Sequence, residues 1–117
     1  MKNLDAKINE VGFTIVKKIS AKDENERKKY KNEIEKTLGV LSNDGVYAYW
    51  VYCQSKKITD VFIDEIKSLM KIVSQESDNQ KFFQNLSQDL NQLLFFKEIL
   101  EKALTYARYH AKAMDDK

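Results

Sequence analysis

The sequence contains no proline and only three glycines, Gly12, Gly39 and Gly45, in 117 residues. Antiparallel sandwiches and barrels need such residues at nearly every turn, so this scarcity excludes an all-β architecture. Cysteine is limited to Cys53, which rules out an intrachain disulfide and the cysteine framework of small secreted domains. Histidine is limited to His110, and one Cys with one distant His cannot supply a zinc ligand set within the chain. Glycine-rich phosphate loops, a glycine-flanked nucleophilic Ser and paired helical histidines are all missing. No apolar run approaches the roughly 18 residues that a membrane helix needs. The first thirteen residues, MKNLDAKINEVGF, lack the apolar stretch of a signal peptide. The expectation is a cytoplasmic chain with no metal, no cofactor and no membrane segment.

With 43% hydrophobic and 32% charged residues the chain can bury a core, which argues against disorder. Its length suits one domain, 1–117. The first helix is predicted from Asp5 to Ser20, because Leu4, Ile8, Val11, Ile15 and Ile19 recur at spacings of three and four. Asp23 or Asn25 can cap a second helix from Glu24 to Leu38, striped by Tyr30, Ile34, Leu38 and Leu41, with Gly39 at its end. Ser42-Asn43-Asp44-Gly45 reads as a turn. The β-branched and aromatic run Val46–Cys53 would suit a strand, but no partner strand exists, so a short buried helix on the Val46–Trp50–Cys53 face is expected.

Thr59 is the expected N-cap of a fourth helix along Phe62, Ile66, Leu69 and Val73, with Asp60 at the favourable end of its dipole. Ser74–Asn79 is polar loop. From Gln80 the pattern resumes through Leu86, Leu90, Leu93, Leu100, Leu104, Ala107, Ala111 and Met114, with a break near Ser87–Asp89 and a frayed end at Asp115-Asp116-Lys117. The fold class is therefore all-α, a single compact bundle of five to six antiparallel helices.

Charge is nearly balanced, with 20 basic and 18 acidic residues, but it is unevenly placed. Residues 1–57 carry twelve basic and eight acidic side chains, a surplus of four positives, and residues 58–80 carry two and five, a deficit of three. Such a dipolar chain could be sticky head to tail, or simply ordinary. The densest basic run is Arg27-Lys28-Lys29-Tyr30-Lys31, preceded by Lys17, Lys18 and Lys22 and followed later by Lys56 and Lys57. Outward lysines of this kind can contact phosphates. Glu24–Lys28 and Lys31–Glu35 at four-residue spacing equally suit simple helix support, so the residues alone leave a solvated face open beside a phosphate-contacting one.

Three further groups carry chemistry. Tyr47, Tyr49, Trp50 and Tyr52 cluster just before Lys56-Lys57, where core packing is the plainer reading and base stacking beside cations another use. Tyr49 and Tyr52 lie off the Val46–Trp50–Cys53 face and, with Tyr109, are candidate anchors for a protein partner. Cys53 and His110 could pair as nucleophile and base, although a core cysteine and a surface histidine is the plainer reading. Asp60, Asp64 and Glu65, or Glu98 and Glu101, could hold a divalent ion, but the histidines that helical bundles add to such sites are missing.

The order of pieces resembles one family. Lys28-Lys29-Tyr30-Lys31 is followed by Ser42-Asn43-Asp44-Gly45-Val46, then by an aromatic helix ending in Gln54-Ser55-Lys56, and the chain closes with Glu101-Lys102-Ala103-Leu104-Thr105-Tyr106-Ala107-Arg108-Tyr109-His110-Ala111-Lys112-Ala113. This resembles the small all-α subunit of the type III-B (Cmr) CRISPR RNA-guided effector complexes, with the type III-A (Csm) small subunit a close competitor. In this chain Asp44 intrudes between Asn43 and Gly45, Val46 replaces the usual Leu, and Tyr106 or Tyr109 stands where Trp is common. The resemblance implies no catalysis. It implies copies stacked head to tail along a guide–target RNA duplex, held by other subunits of the complex and touching the RNA backbone. Lys17, Lys18, Arg27, Lys28, Lys29, Lys31, Lys56 and Lys57 would then face RNA, Tyr49, Tyr52 and Tyr109 would meet neighbouring subunits, Gly45 and Val46 would open the third helix, and Trp50 would be core. The rival reading is a stand-alone helical adaptor that binds a protein through the same tyrosines and no RNA.

Overall fold

A computed structural model describes residues 3–115, and the fraying expected at Asp116 and Lys117 lies outside them. The described residues contain no strand. The helices are α1 (Leu4–Ser20), α2 (Glu24–Asp44), α3 (Val46–Lys56), a short α4 (Thr59–Phe62), α5 (Lys67–Val73), α6 (Asn79–Leu86) and α7 (Leu90–Asp115), with a 3₁₀ turn, Asp64–Ile66, joining α4 to α5. Taking α4, that turn and α5 as one interrupted segment, six helical pieces form the all-α bundle that the periodicity implied.

Side-chain caps begin four of the helices, α7 among them, where Asp89 accepts from Gln92 N at 3.2 Å. Asn3 accepts from the amides of Asp5 and Ala6 at the start of α1. Asp23 accepts from Glu26 N at 2.9 Å, and Asp78 from Lys81 N at 3.0 Å. Each satisfies donors that a helix start leaves without an intrahelical partner. The end of α2 differs from expectation. The helix passes through Gly39 and stops only at Gly45, whose φ of 97° turns the chain into α3. The reason is burial further along, because Leu41 is fully inside and keeps the helix in register beyond the glycine. Gly45 alone supplies the left-handed geometry that the whole Ser42–Gly45 stretch had suggested.

The fourth helix is interrupted, and Thr59 is its first residue rather than its cap; Ile58 precedes it with no side-chain capping bond. Val61, Phe62 and Ile63 are consecutive and all buried. One regular helix cannot turn three successive side chains into the same core, so the backbone tightens to a 3₁₀ turn at Asp64 before resuming as α5.

Buried side chains from all these pieces form one core. Its aromatic end comprises Trp50 stacked on Phe83 at 5.1 Å, with Phe82 and Phe96 edge-on to them. The stripe of α7 is Phe96, Ile99, Leu100, Ala103, Leu104, Ala107 and Ala111; Leu90, expected within it, is 66% exposed. Along its length α7 lies against α1. The contact of Gly12 with Ala103–Ala107, followed by that of Ser20 with Met114, sets these two helices running in the same sense. A Cβ on Gly12 would come within 2.8–2.9 Å of Ala103 O, Tyr106 Cβ and Ala107 N, so this crossing is closer than any other residue would permit.

Candidate nucleic-acid interface

One corner of the bundle gathers the end of α1, the first half of α2, the C-terminal end of α3 and the start of α4. Tyr30 organises it. Its ring stacks on Phe62 with centroids 6.3 Å apart, and its hydroxyl donates to Asp60 Oδ1 at 2.7 Å and lies 3.4 Å from Lys57 O. Lys22 Nζ is 2.7 Å from Asp60 Oδ2 and 4.4 Å from the centre of the Tyr30 ring, while Lys29 Nζ is 5.8 Å from the same ring. The Arg27 guanidinium turns back to donate to Lys22 O at 2.7 Å. Partial burial pushes the Asp60 carboxyl up, but the bonds from Lys22 and Tyr30 outweigh it and hold the group below the usual carboxylate range. Tyr30 is driven up by burial and by Asp60, so it stays a protonated donor.

Beside it the same arrangement recurs. Tyr52 of α3 donates to the buried Glu33 of α2 at 2.7 Å, and Lys56 Nζ is 5.7 Å from the Tyr52 ring. Burial and Glu33 raise the Tyr52 phenol. Two tyrosine–carboxylate bonds thus tie α3 and α4 to α2, and each tyrosine ring carries at least one lysine. Next to them a groove is lined by Trp50, Gln54, Lys57, Thr59, Asp60 and Asn79.

The eight candidate cations do not form one face. Lys29, Lys56 and Lys57 converge on this corner with Lys22, and Arg27 lies at its edge. Successive residues of a helix are about 100° apart, so Lys29 and Lys31 flank Tyr30 on opposite sides of α2 and Lys28 points to the outer surface. Lys31 shares its flank with Glu35, which meets Arg108 of α7 at 3.5 Å. Lys18 is engaged by Glu65 at 3.3 Å, and Lys17 is exposed on the rim of a groove with Thr14, Ala21 and Glu65.

The tyrosines separate in the same way. Tyr49, expected to lie off the buried face, is fully enclosed and donates to Phe62 O at 2.6 Å, leaving it nothing to offer a partner. The buried arc of α3 is wider than Val46–Trp50–Cys53 because α2, α4 and α6 all border this helix. Tyr52 is half-buried, while Tyr109 stays 60% exposed near two other accessible aromatics, Phe13 and Tyr106.

Two acids of residues 58–80 meet the basic half of the chain, Glu65 at Lys18 and Asp60 at Lys22. Cys53 and His110 are apart in the fold. Cys53 is buried in α3 and its thiol is pushed up to about 12, chiefly by that burial, whereas His110 shares a hydrogen bond with Asn9 at 2.9 Å and meets the edge of Phe13. Glu101 accepts from Ser42, and Glu98 pairs with Lys102. Among the described residues no three metal-ligating side chains come together. None of the described helices is long and apolar enough to cross a membrane. No family model, curated protein or solved structure matches the chain.

Proposed function

We propose that this chain is a non-catalytic structural small subunit of a type III-B CRISPR RNA-guided effector complex, acting in the cytoplasm in antiviral defence. It stacks along the guide–target duplex, held by other subunits and by copies of itself, and touches the RNA through its backbone. The observation that carries this reading is the Tyr30–Tyr52 corner. Lysines from three separate stretches of sequence, Lys22, Lys29 and Lys56-Lys57, reach one region, and Lys22, Lys29 and Lys56 stand over tyrosine rings held by hydrogen bonds. Lysines contact phosphates without reading bases, as suits a complex in which the guide reads sequence by pairing. The all-α fold and the opening of α3 at Gly45-Val46 agree with the resemblance. A tagged pull-down from the native cell, with proteins identified and RNA sequenced, tests the proposal. Larger subunits with short RNAs sharing a repeat-derived 5′ tag are the expected result.

The exposed aromatics Phe13, Tyr106 and Tyr109 favour a second reading, a stand-alone helical adaptor. A single protein partner with no RNA in the same pull-down selects it and rejects the first.

A further inference from the structure

Lys57 is the one non-glycine residue with positive φ among the described residues, at φ 58° and ψ 45°. It sits just past α3, where Ile58 N donates to Cys53 O at 3.0 Å and Lys57 N to Gln54 O at 3.1 Å, a Schellman closure. That position favours glycine, because a Cβ there meets the adjoining carbonyl. Lysine brings the fold no visible compensation. Its side chain is exposed and makes no hydrogen bond or ion pair within the described residues, and Lys56 already supplies a cation in the last turn of α3. The groove beside it supplies a reason. Asp60, its only carboxylate, is already engaged by Lys22 and Tyr30, so Lys57 is its uncompensated charge. Gln54 and Thr59 add neutral donors.

We infer that the groove between the ends of α3, α4 and α6 is a phosphodiester-binding site in which Lys57, held by the helix end in a left-handed conformation that lysine does not favour, supplies the charge. One cation with neutral donors suits a single backbone phosphate rather than a base edge. This inference rests on the RNA reading above and assigns that contact to one residue.

The test uses the full chain, a labelled RNA duplex of arbitrary sequence, binding isotherms across a salt series, and melting curves in parallel. Lys57→Gly relieves the backbone and removes the charge together. It raises the melting temperature by about 2–5 °C, weakens RNA binding about fivefold and flattens the dependence of log affinity on log salt by about 0.7–0.9. Lys57→Arg recovers the lost affinity. If Lys57→Gly binds like wild type while Lys29→Glu binds more weakly, the groove assignment fails and the RNA reading stands. If the wild-type chain shows no salt-dependent RNA binding, both fall. A lower melting temperature in Lys57→Gly would place the lysine in service of the helix end and overturn the inference.

Discussion

Gly12 and Gly39 set up a comparison in which one chemical change should act with opposite signs. Both lie inside helices, and in both a helix-interior glycine sacrifices roughly 0.5–1 kcal/mol relative to alanine. At Gly39 a Cβ would meet nothing within 4 Å, so Gly39→Ala should collect that gain and melt about 2–5 °C higher. At Gly12 the same methyl group arrives 2.8 Å from Ala103 O and Tyr106 Cβ and 2.9 Å from Ala107 N. Two of the three obstacles are backbone atoms of α7, which cannot rotate aside, so α1 must back away and loosen the packing of Ile8, Ile15 and Leu104. Overpacking of this kind costs about 1–3 kcal/mol. A mid-range cost of about 2 kcal/mol, set against the gain in helix propensity, leaves a net loss of about 1–1.5 kcal/mol, or a melting temperature lower by about 4–8 °C. Thermal and urea unfolding followed by circular dichroism measure both variants. The reasoning is refuted if Gly12→Ala melts at or above wild type, because the α1–α7 crossing would then have room that the structure denies it.

Tyr49→Phe strips the fully buried donor from Phe62 O and should cost about 1–2 kcal/mol in urea unfolding; unaltered stability would mean that the 2.6 Å bond contributes nothing. The Asp60 carboxyl is held below its ordinary value in the folded state, so its contribution to stability is complete above the unfolded value near 4 and lost as pH falls through the lower native value. Asp60→Asn should therefore remove part of the acid sensitivity below about pH 4, and identical acid-unfolding profiles would contradict the Lys22–Asp60–Tyr30 linkage. Tyr109→Ala should leave stability within about 0.5 kcal/mol, since the side chain is mostly exposed. Under the adaptor reading it should also abolish partner capture in pull-downs, so wild-type capture would count against that reading.

Local periodicity was enough to find α1 to within a residue, and the lack of any partner strand was enough to read Val46–Cys53 as helix despite its β-branched and aromatic content. Tertiary burial decided the rest. Gly39 is a strong local stop signal, yet Leu41 two residues further on is buried and the helix continues to Gly45. The interruption at Asp64 was hidden because Phe62, Ile66 and Leu69 satisfy a helical stripe, and the consecutive burial of Val61 and Ile63 emerges only when neighbours surround them. The basic run on α2 was visible as composition, but which of its lysines meet Lys56 and Lys57 depends on the turn at Gly45 folding α3 back along α2. Of the readings open to Tyr49, enclosure in the core prevails because its helix is buried on an arc set by three neighbours, which spacing within that helix does not specify.

The acids at the Tyr30–Tyr52 corner look at first like an argument against an RNA-facing role, since Asp60 and Glu33 reduce its net charge. Their geometry points the other way. Each carboxylate accepts from a tyrosine hydroxyl and so holds a ring in place, and it is over these rings that Lys29 and Lys56 stand, with Lys22 on the Tyr30 ring paired to Asp60. A free lysine forfeits much of its rotamer entropy when it binds a phosphate, and a lysine already resting on a fixed ring forfeits less. Of the acids, Glu33 is buried and Asp60 is occupied by Lys22, so neither needs to meet an incoming phosphate as a free charge. The corner exchanges some long-range attraction for position. That exchange suits contacts made at fixed positions along a phosphate backbone, and it leaves the binding dependent on salt.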